Sequence, residues 1–323
     1  MQRREFTMFL FGATAWPLAA RAQEVGRTYR LGSLHLSPRN ARWHVALFNE
    51  LKRHGFIEGQ NLLADAHGWG LRVEQLDQHA SEIVKAQVDV IYCTGDAAIR
   101  AAQQATKTIP ILGLTDNMVG SGLVRSLAKP AGNTTGVSIL AGELDGKRQE
   151  ILMEAVPGAR RMAVLADPNT TSPQQFQALE EETHTRGVEL LIYRVMKPEE
   201  IAGAIDTAKS SGASALNVLA TPLLFNNRQI ILPRAATLRL PTILQAPEGA
   251  EDGSLIAYGP RFVQLYREIM ARQLVILLRG AKPADLPVEQ PTKFELVINL
   301  KTAQAIGVDV PSSLLLRADE VIE

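Results

Sequence analysis

The chain has 323 residues, of which 46% are hydrophobic and 5% aromatic, and 34 Lys and Arg balance 34 Asp and Glu. This length and hydrophobic content can fill the cores of two domains, which excludes a disordered or fibrous protein. Balanced charge provides no field that would attract a polyanion, so we predict that the protein binds no nucleic acid. The single cysteine, Cys93, excludes an intramolecular disulfide and a multi-cysteine metal site.

The N-terminus has the features of an export signal. Arg3 and Arg4 precede an apolar run from Met8 to Ala20, and small residues at 20 and 22 suit a signal peptidase. We predict a cleaved twin-arginine-type signal peptide over residues 1–22, although the general export pathway could also accept it. The run is too short to span about 30 Å of hydrocarbon. No cysteine lies near the cleavage position, so we expect a soluble periplasmic protein without a lipid anchor.

Beyond this segment, short apolar runs alternate with longer amphipathic ones, which is typical of β-α-β units around a parallel sheet. The units form two series of similar order and spacing, each opening with a strand, a polar loop and a helix that ends at a glycine. We therefore predict an α/β protein of two Rossmann-like lobes with parallel sheets, joined by a hinge. The matching strands are predicted at Arg30–Leu34 and Arg161–Leu165, at Val88–Tyr92 and Ala213–Val218, and at Ile109–Leu112 and Leu240–Leu244.

The two series also set the expected domain boundaries. We assign residues 28–143 to an N-terminal lobe and residues 144–258 to a C-terminal lobe, with the hinge near Leu140 to Gly146. Residues 259–323 should then form a crossover helix from Phe262 to Leu278, a strand and a final segment that packs back on the lobes.

In open parallel sheets, ligands bind beyond the carboxyl ends of the strands, where loops and helix N-termini converge. This rule selects the polar and aromatic residues that follow each predicted strand. They are Ser37, Asn40, Trp69, Thr94, Gly95, Asp96, Thr115, Asp116, Asn117, Asp167, Asn169, Thr170, Thr221, Glu248 and Tyr258.

Several of these residues also have an ordinary structural interpretation. Thr94-Gly95-Asp96 could receive a ligand carboxylate or merely begin a helix, and the charge of Asp96 favours a ligand ammonium instead. Asp116 could accept hydrogen bonds from a ligand ammonium or form an Asx turn. Trp69 and Tyr258 could stack on a ligand or cover the edges of their lobes.

Enzymatic signatures are missing from the sequence. It contains no G-x-G-x-x-G after the opening strand, no G-x-x-x-x-G-K-[ST], no H-E-x-x-H and no G-x-S-x-G. We predict no catalytic residue, no cofactor and no metal. The six histidines lack metal-ligand spacing, and we interpret each as solvated or helix-capping. Cys93 follows a predicted buried strand and should be a core thiol.

Five stretches carry a family resemblance over nearly the whole chain. They are G-F-I-E-G-Q-N at 55–61, V-G-S-G-L-V at 119–124, L-A-K-P-A-G-N-T-T-G at 127–136, G-K-R at 146–148, and the long tail G-A-K-P-A-D-L-P-V-E-Q-P-T-K-F-E-L-V-I-N-L-K-T-A at 280–303. With these, the protein resembles the substrate-binding components of ATP-binding-cassette transporters, in the group that includes aromatic amino-acid binders.

The resemblance implies a type I periplasmic-binding-protein fold that closes on its ligand and delivers it to a membrane permease driven by an ATPase. It supplies no catalytic residue. The family's cleft loops match six positions selected above: Ser37, Thr94, Asp116, Asn169, Thr221 and Tyr258. Differences from the family's pattern at Asp96, at Thr115-Asp116-Asn117 and at Asp167-Pro168 affect the expected ligand more than the fold.

We therefore expect a monomeric, non-catalytic binding protein for a small polar solute, possibly an amino acid, with an aromatic one favoured by the resemblance. One alternative is a sensory protein that presents its closed form to a membrane receptor or kinase. A second is an enzyme on a similar two-lobed scaffold, such as a glycosyltransferase, which the missing nucleotide signature disfavours.

Overall fold

The computed structural model describes residues 26–323. The predicted signal peptide at residues 1–22 lies outside this range. Within it, no helix combines the length and the apolar character needed to cross a membrane.

The first lobe is built on a five-stranded sheet. Its strands are β1 (Tyr29–Leu34), β2 (Leu62–Ala64), β3 (Val90–Thr94), β4 (Ile111–Thr115) and β5 (Thr134–Ser138). They pair in the order β2-β1-β3-β4-β5, and every pair is parallel. Strand β4 is buried along its whole length and β3 is buried up to the partly exposed Thr94, as expected for a parallel sheet with helices on both faces.

The second lobe is built on a seven-stranded sheet. Its strands are β6 (Arg161–Ala166), β7 (Glu189–Arg194), β8 (Leu216–Val218), β9 (Thr242–Leu244), β10 (Ile256–Gly259), β11 (Glu295–Asn299) and β12 (Glu320–Ile322). They pair in the order β12-β11-β10-β9-β8-β6-β7, and only β10 and β11 are antiparallel to each other. Numbered along the chain, strands β6 to β10 pair in the order second-first-third-fourth-fifth, as β1 to β5 do in the other sheet. The two series in the sequence are therefore two copies of one topology.

Helices cover both sheets. They are α1 (Arg42–Arg53), α2 (Leu76–Lys85), α3 (Asp96–Ala105), α4 (Asp145–Ala155), α5 (Pro173–Thr185), α6 (Pro198–Ser210), α7 (Pro222–Asn226), α8 (Arg228–Thr237), α9 (Pro247–Glu251), α10 (Phe262–Leu265), α11 (Ala271–Leu278), α12 (Leu300–Ile306) and α13 (Ser312–Leu315). Residues Tyr266–Met270 form a π-helical turn between α10 and α11, so the predicted crossover helix is helical throughout but not uniform.

Four strands predicted to begin at Val88, Ile109, Ala213 and Leu240 begin two or three residues later, at Val90, Ile111, Leu216 and Thr242. Strand β3 begins at Val90, and Asp89 before it is joined to Arg30 through a carboxylate that accepts from the Arg30 backbone N–H at 2.7 Å. Strand β4 begins after Pro110, which has no N–H to donate. Both strands run on to a threonine at their carboxyl ends, so Thr94 and Thr115 lie inside strands.

Within residues 26–323 the chain passes between the lobes three times. The first crossing joins β5 to α4, the second joins β10 to α10, and the third leads into β11. Between the second and third crossings, Tyr266, Met270 and Leu274 pack in one cluster with Leu47 of α1 and Tyr92 of β3. Residues 262–278 therefore complete the core of the first lobe, whereas β11 and β12 extend the sheet of the second.

Candidate ligand-binding cleft

The loops at the carboxyl ends of the two sheets face each other. A Cβ atom built on Gly95, which follows β3, would lie 3.9 Å from Pro222 Cγ in α7. Along one side of this region, the rings of Trp43 in α1 and Phe225 in α7 lie 5.6 Å apart. Arg42 extends the contact with an ion pair to Asp252 at 2.9 Å. These contacts define a cleft between the lobes, at the position where parallel sheets bind ligands.

The wall of the cleft in the first lobe is a cluster of aromatic rings around His35. Trp69 stacks on His35 with ring centroids 4.4 Å apart and planes within 10° of parallel. Tyr92 and His44 lie 4.1 Å and 4.7 Å from the same imidazole. The Trp69 Nε1–H donates to the Asp65 carbonyl at 2.8 Å, which fixes the orientation of the indole. The ring of Trp69 stays partly exposed, with the Arg39 guanidinium 5.1 Å from its centroid, and is the candidate stacking surface of this wall.

A chain of hydrogen bonds lies behind these rings. Ser37 Oγ and His44 Nε2 are 2.8 Å apart, and His44 Nδ1 and the Tyr92 hydroxyl are 2.9 Å apart. Burial lowers the pKa of His44 to about 3, with a further contribution from the positive charge of Arg39. Burial also holds the pKa of His35 well below its usual range. Both imidazoles are therefore neutral at physiological pH, and this wall carries aromatic surface without charge from its histidines.

The prediction that every histidine is solvated or helix-capping is wrong for His35 and His44, which are fully buried. The sequence does contain a signal for each. His44 precedes Leu47 and Leu51 at helical spacing, which places it on the buried face of α1. His35 continues the alternation of Tyr29 and Leu31 along β1.

The polar groups at the end of β3 are occupied within the first lobe. Thr94 Oγ1 lies 3.1 Å from His35 Nδ1, and the Thr115 hydroxyl donates to the Asp96 carboxylate. Gly95 has a φ of 88°, a backbone conformation that favours glycine. The proposed ligand roles of these residues stay predictions, and each would have to share groups that already have partners. Asn40, also selected from the sequence, is exposed in the turn before α1.

Asp116 connects the end of β4 to the first crossing. Its Oδ1 accepts a hydrogen bond from the Gly142 N–H at 2.9 Å, and its carbonyl accepts one from Leu140 N–H at 2.8 Å. The neighbouring residue makes the Asx-type contact instead, because Asn117 Oδ1 accepts from Gly120 N–H at 2.8 Å. The alternative of an Asx turn at Asp116 is therefore wrong. Burial raises the pKa of Asp116 to about 6.

The wall of the cleft in the second lobe carries hydroxyl and amide groups. Asn169 and Thr170 are exposed in a turn organised by Asp167, whose Oδ1 accepts from the Asn169 N–H at 2.9 Å and whose carbonyl accepts from the Thr170 hydroxyl at 3.4 Å. Thr221 is buried, and its Oγ1 accepts from the Leu224 N–H at 3.2 Å as the N-cap of α7. Asn169 and Thr170 thus present their side chains to solvent, whereas Thr221 positions a helix.

Glu248 lies at the second crossing. Its side chain is fully buried, and Oε1 accepts from the Val263 N–H at 2.8 Å near the start of α10. The other oxygen, Oε2, has no hydrogen-bond partner among residues 26–323. Burial raises the pKa of this carboxyl. The observed contact is that of a residue that holds the crossover helix in place.

Tyr258 is not brought together with the other predicted residues. It lies within β10, opposite Leu296 of β11. Both residues line a surface cavity of about 410 Å³ beside α4, and no other predicted site residue contributes to it; the remaining lining residues are Lys147, Glu150, Ile151, Glu154, Arg186, Arg317 and Asp319.

Gln175 was missed by the sequence analysis. Its Oε1 accepts from the Ser172 N–H at 2.8 Å, and Ser172 Oγ accepts in return from the Gln175 N–H at 3.3 Å, which forms a capping box at the start of α5. Its amide nitrogen points at the first crossing, 2.6 Å from where a Cβ would stand on Gly142. The S-x-x-Q spacing at 172–175 predicts the capping box. It does not predict that the Gln175 side chain approaches Gly142.

Among residues 26–323, no group of three or more His, Cys, Asp and Glu side chains is placed to hold a metal ion. Cys93, predicted to be a core thiol, is fully buried, and burial raises its pKa.

Comparison with known proteins decides the family. A family model described as ABC transporter substrate binding protein matches residues 44–322. The chain belongs to this family. The family and its named relatives consist of binding proteins, which agrees with the interpretation of the sequence as non-catalytic.

Relatives of this substrate-binding protein include aromatic amino-acid binders. A tyrosine-binding protein of Clostridioides difficile is 27% identical over 265 residues, which cover 80% of this chain and 74% of the relative. A Streptococcus pneumoniae ABC domain solved in complex with L-Trp has a TM-score of 0.77 at 23% identity, covering 90% of this chain and 100% of that one. A conserved domain protein of Vibrio cholerae has a TM-score of 0.81 at 23% identity, covering 91% of this chain and 100% of that one. The predicted two-lobed α/β fold is confirmed.

Proposed function

We propose that this substrate-binding protein captures a small polar solute between its lobes in the periplasm and delivers it to the permease of an ABC transporter without chemical turnover. The observation that carries the proposal is the cleft itself, in which the loops of two sheets of the same topology face each other and three chain crossings within residues 26–323 join the lobes. A solute that touches both walls stabilises the closed state, because only a ligand with different affinity for the two states shifts their balance.

An amino acid with an aromatic side chain is the solute that the two walls suit best. The wall in the first lobe offers the partly exposed ring of Trp69, which is backed by the buried, uncharged imidazole of His35 and favours stacking. The opposite wall offers the exposed side chains of Asn169 and Thr170 for hydrogen bonds. Asp116 is the carboxylate at the junction of the walls that we propose as the acceptor for an ammonium group. The tyrosine and L-Trp named for two relatives agree with this choice.

The proposed periplasmic location depends on the export signal. Fractionation of cells that express the full chain should recover the mature protein in the periplasm. Replacing Arg3 and Arg4 by lysines should retain it in the cytoplasm if the twin-arginine pathway carries it. Export of the variant at an unchanged level would assign the protein to the general pathway, and retention of the wild-type chain would contradict the proposed location.

The solute is tested by a thermal-shift screen of the chain from Gln23, refolded to remove bound ligand and checked by native mass spectrometry. The screen includes L-tyrosine, L-tryptophan, other amino acids, small carboxylates, purines and sugars. A ligand at 100 times its Kd should add about 2.7 kcal/mol to the free energy of unfolding. A shift with aromatic amino acids alone is the expected result. A shift only with sugars or purines would contradict the amino-acid proposal.

A further inference from the structure

Two side chains from opposite lobes converge on one glycine of the first crossing. A Cβ built on Gly142 would lie 2.6 Å from Gln175 Nε2 and 2.7 Å from Asp116 Oδ2. Real Cβ atoms do not come this close to other heavy atoms, so a Cβ at position 142 would displace both side-chain ends. Gly142 is buried, which places this meeting point inside the molecule at the base of the cleft.

The two groups that meet are chemically complementary. Gln175 uses Oε1 for the Ser172 N–H, so the end that faces the crossing is its amide nitrogen, which carries two N–H donors. Asp116 uses Oδ1 for the Gly142 N–H, so the atom that approaches the Cβ position of Gly142 is its second carboxylate oxygen, an acceptor. A donor of the second lobe and an acceptor of the first therefore both approach Gly142.

Each partner is fixed to its own lobe. Asp116 follows β4 and binds the first crossing twice, because its carboxylate accepts from the Gly142 N–H and its carbonyl accepts from the Leu140 N–H. Leu140 itself has a left-handed backbone conformation, with a φ of 49°. Gln175 is held in the first turn of α5 by its capping box. The distance between the two side-chain ends therefore follows the distance between the lobes.

We propose that Asp116 and Gln175 form a closing contact between the lobes, made over Gly142 when the cleft closes and broken when it opens. The contact makes Gln175 a positioning residue for closure. It goes beyond the proposed function, on which it depends only in assuming that the cleft opens and closes. The closing contact does not depend on which solute the cleft binds.

The charges around this contact give it a pH signature. The charged side chains that act on Asp116 are Asp145, which raises its pKa, and Arg148, which lowers it, while burial raises the pKa most. Asp116 is an anion at neutral pH and can accept from the Gln175 amide. A second carboxylate placed at position 175 would repel it, and protonation of Asp116 at low pH would remove that repulsion.

The decisive variant is Gln175→Glu. Glutamate serves the capping box as well as glutamine, so the start of α5 keeps its cap. The change replaces the N–H donor that faces Asp116 by an anionic oxygen. Gln174→Glu is the matched control, because it adds the same charge to the neighbouring, exposed residue of the same helix turn. The pair Asp116→Asn with Gln175→Glu exchanges donor and acceptor and should restore the contact.

The readout is the distance between the lobes, which needs no solute. Cysteines introduced at the exposed Val73 and Met196, in loops after β2 and β7, carry a pair of fluorophores, while the buried Cys93 stays unlabelled. At pH 7.5 we expect Gln175→Glu to shift the distance distribution toward open. The control should match the parent protein, and the exchanged pair should return to it. Acidification below pH 6 should close Gln175→Glu again.

Binding of L-tyrosine and L-tryptophan is measured in parallel by calorimetry. Gln175→Glu should weaken whichever probe binds by about tenfold, the cost of roughly 1.4 kcal/mol lost from closure. An unchanged distance in Gln175→Glu, or an exchanged pair as open as the single variant, would overturn the closing contact. Failure of both probes to bind, with the distances behaving as expected, would count against the proposed solute alone. If Gln175→Glu does not fold, Gly142→Ala tests the same contact sterically and should also shift the distribution toward open.

Discussion

The two walls of the cleft differ in chemistry although the sheets behind them share one strand order. Trp69, His35, His44 and Tyr92 make the first wall a buried network of rings. The second wall presents short turns whose hydroxyl and amide groups reach solvent. Under the proposed function, we expect the first lobe to supply a rigid surface for the solute and the second to supply adaptable hydrogen bonds.

The largest effect should come from breaking the buried network of the first wall. His44→Ala removes both hydrogen bonds of the imidazole, to Ser37 and to Tyr92, and leaves a cavity in α1. We expect a loss of about 3 kcal/mol in the free energy of unfolding, measured by urea denaturation. Thr170→Ala on the opposite wall is the control and should change stability by less than about 0.5 kcal/mol. Equal losses in the two variants would contradict the contrast between the walls.

Asp116, where the walls meet, should make stability depend on pH. The folded protein binds a proton at this carboxyl more tightly than the unfolded chain does, because burial raises its pKa to about 6. The contribution of Asp116 to the free energy of unfolding is therefore largest below about pH 4. It falls by up to about 3 kcal/mol as the pH rises to about 6, and it stays level at higher pH. Denaturation midpoints between pH 4 and 7 measure it. Asp116→Asn should flatten this component, and a variant profile parallel to that of the parent protein would show that Asp116 does not cause it.

Removing the stacking surface should affect binding more than folding. Trp69→Ala should weaken L-tryptophan or L-tyrosine binding by about 30-fold, the usual effect of removing a central aromatic anchor. Trp69→Phe keeps a smaller ring and should recover part of the affinity. Calorimetry of the three proteins gives the ranking. Affinity that is the same in all three would place the ligand away from this wall.

The smallest effect should come from the helix cap of the second wall. Thr221→Ala removes the hydroxyl that accepts from the Leu224 N–H, and should cost about 1 kcal/mol of stability. Thr221→Ser keeps the acceptor and should restore most of it. A large loss of solute affinity in Thr221→Ala, with stability unchanged, would instead give this residue the direct ligand contact predicted from the sequence.

The strand series, and hence the two lobes and the cleft between them, could be predicted because hydrophobic periodicity is local. The periodic positions of His35 and His44 signalled their burial, but the hydrogen-bond partners of the first wall could not be predicted, because Tyr92 lies 48 residues from His44. Tyr258 was misplaced for a similar reason, since its surroundings include a strand that returns from the third crossing. Gln175 showed its cap but not its approach to Gly142, because Gly142 lies on the crossing where the two lobes meet.

The three crossings also govern how the chain matures as it is synthesised. The core of the first lobe is incomplete until Tyr266, Met270 and Leu274 arrive, and the second sheet gains its last strand at residues 320–322. A ribosome must therefore finish nearly the whole polypeptide before either half can reach its final packing. A truncated chain of residues 26–143 would lack part of the hydrophobic core of the first lobe. We therefore expect that it does not fold stably on its own and that the two lobes fold together.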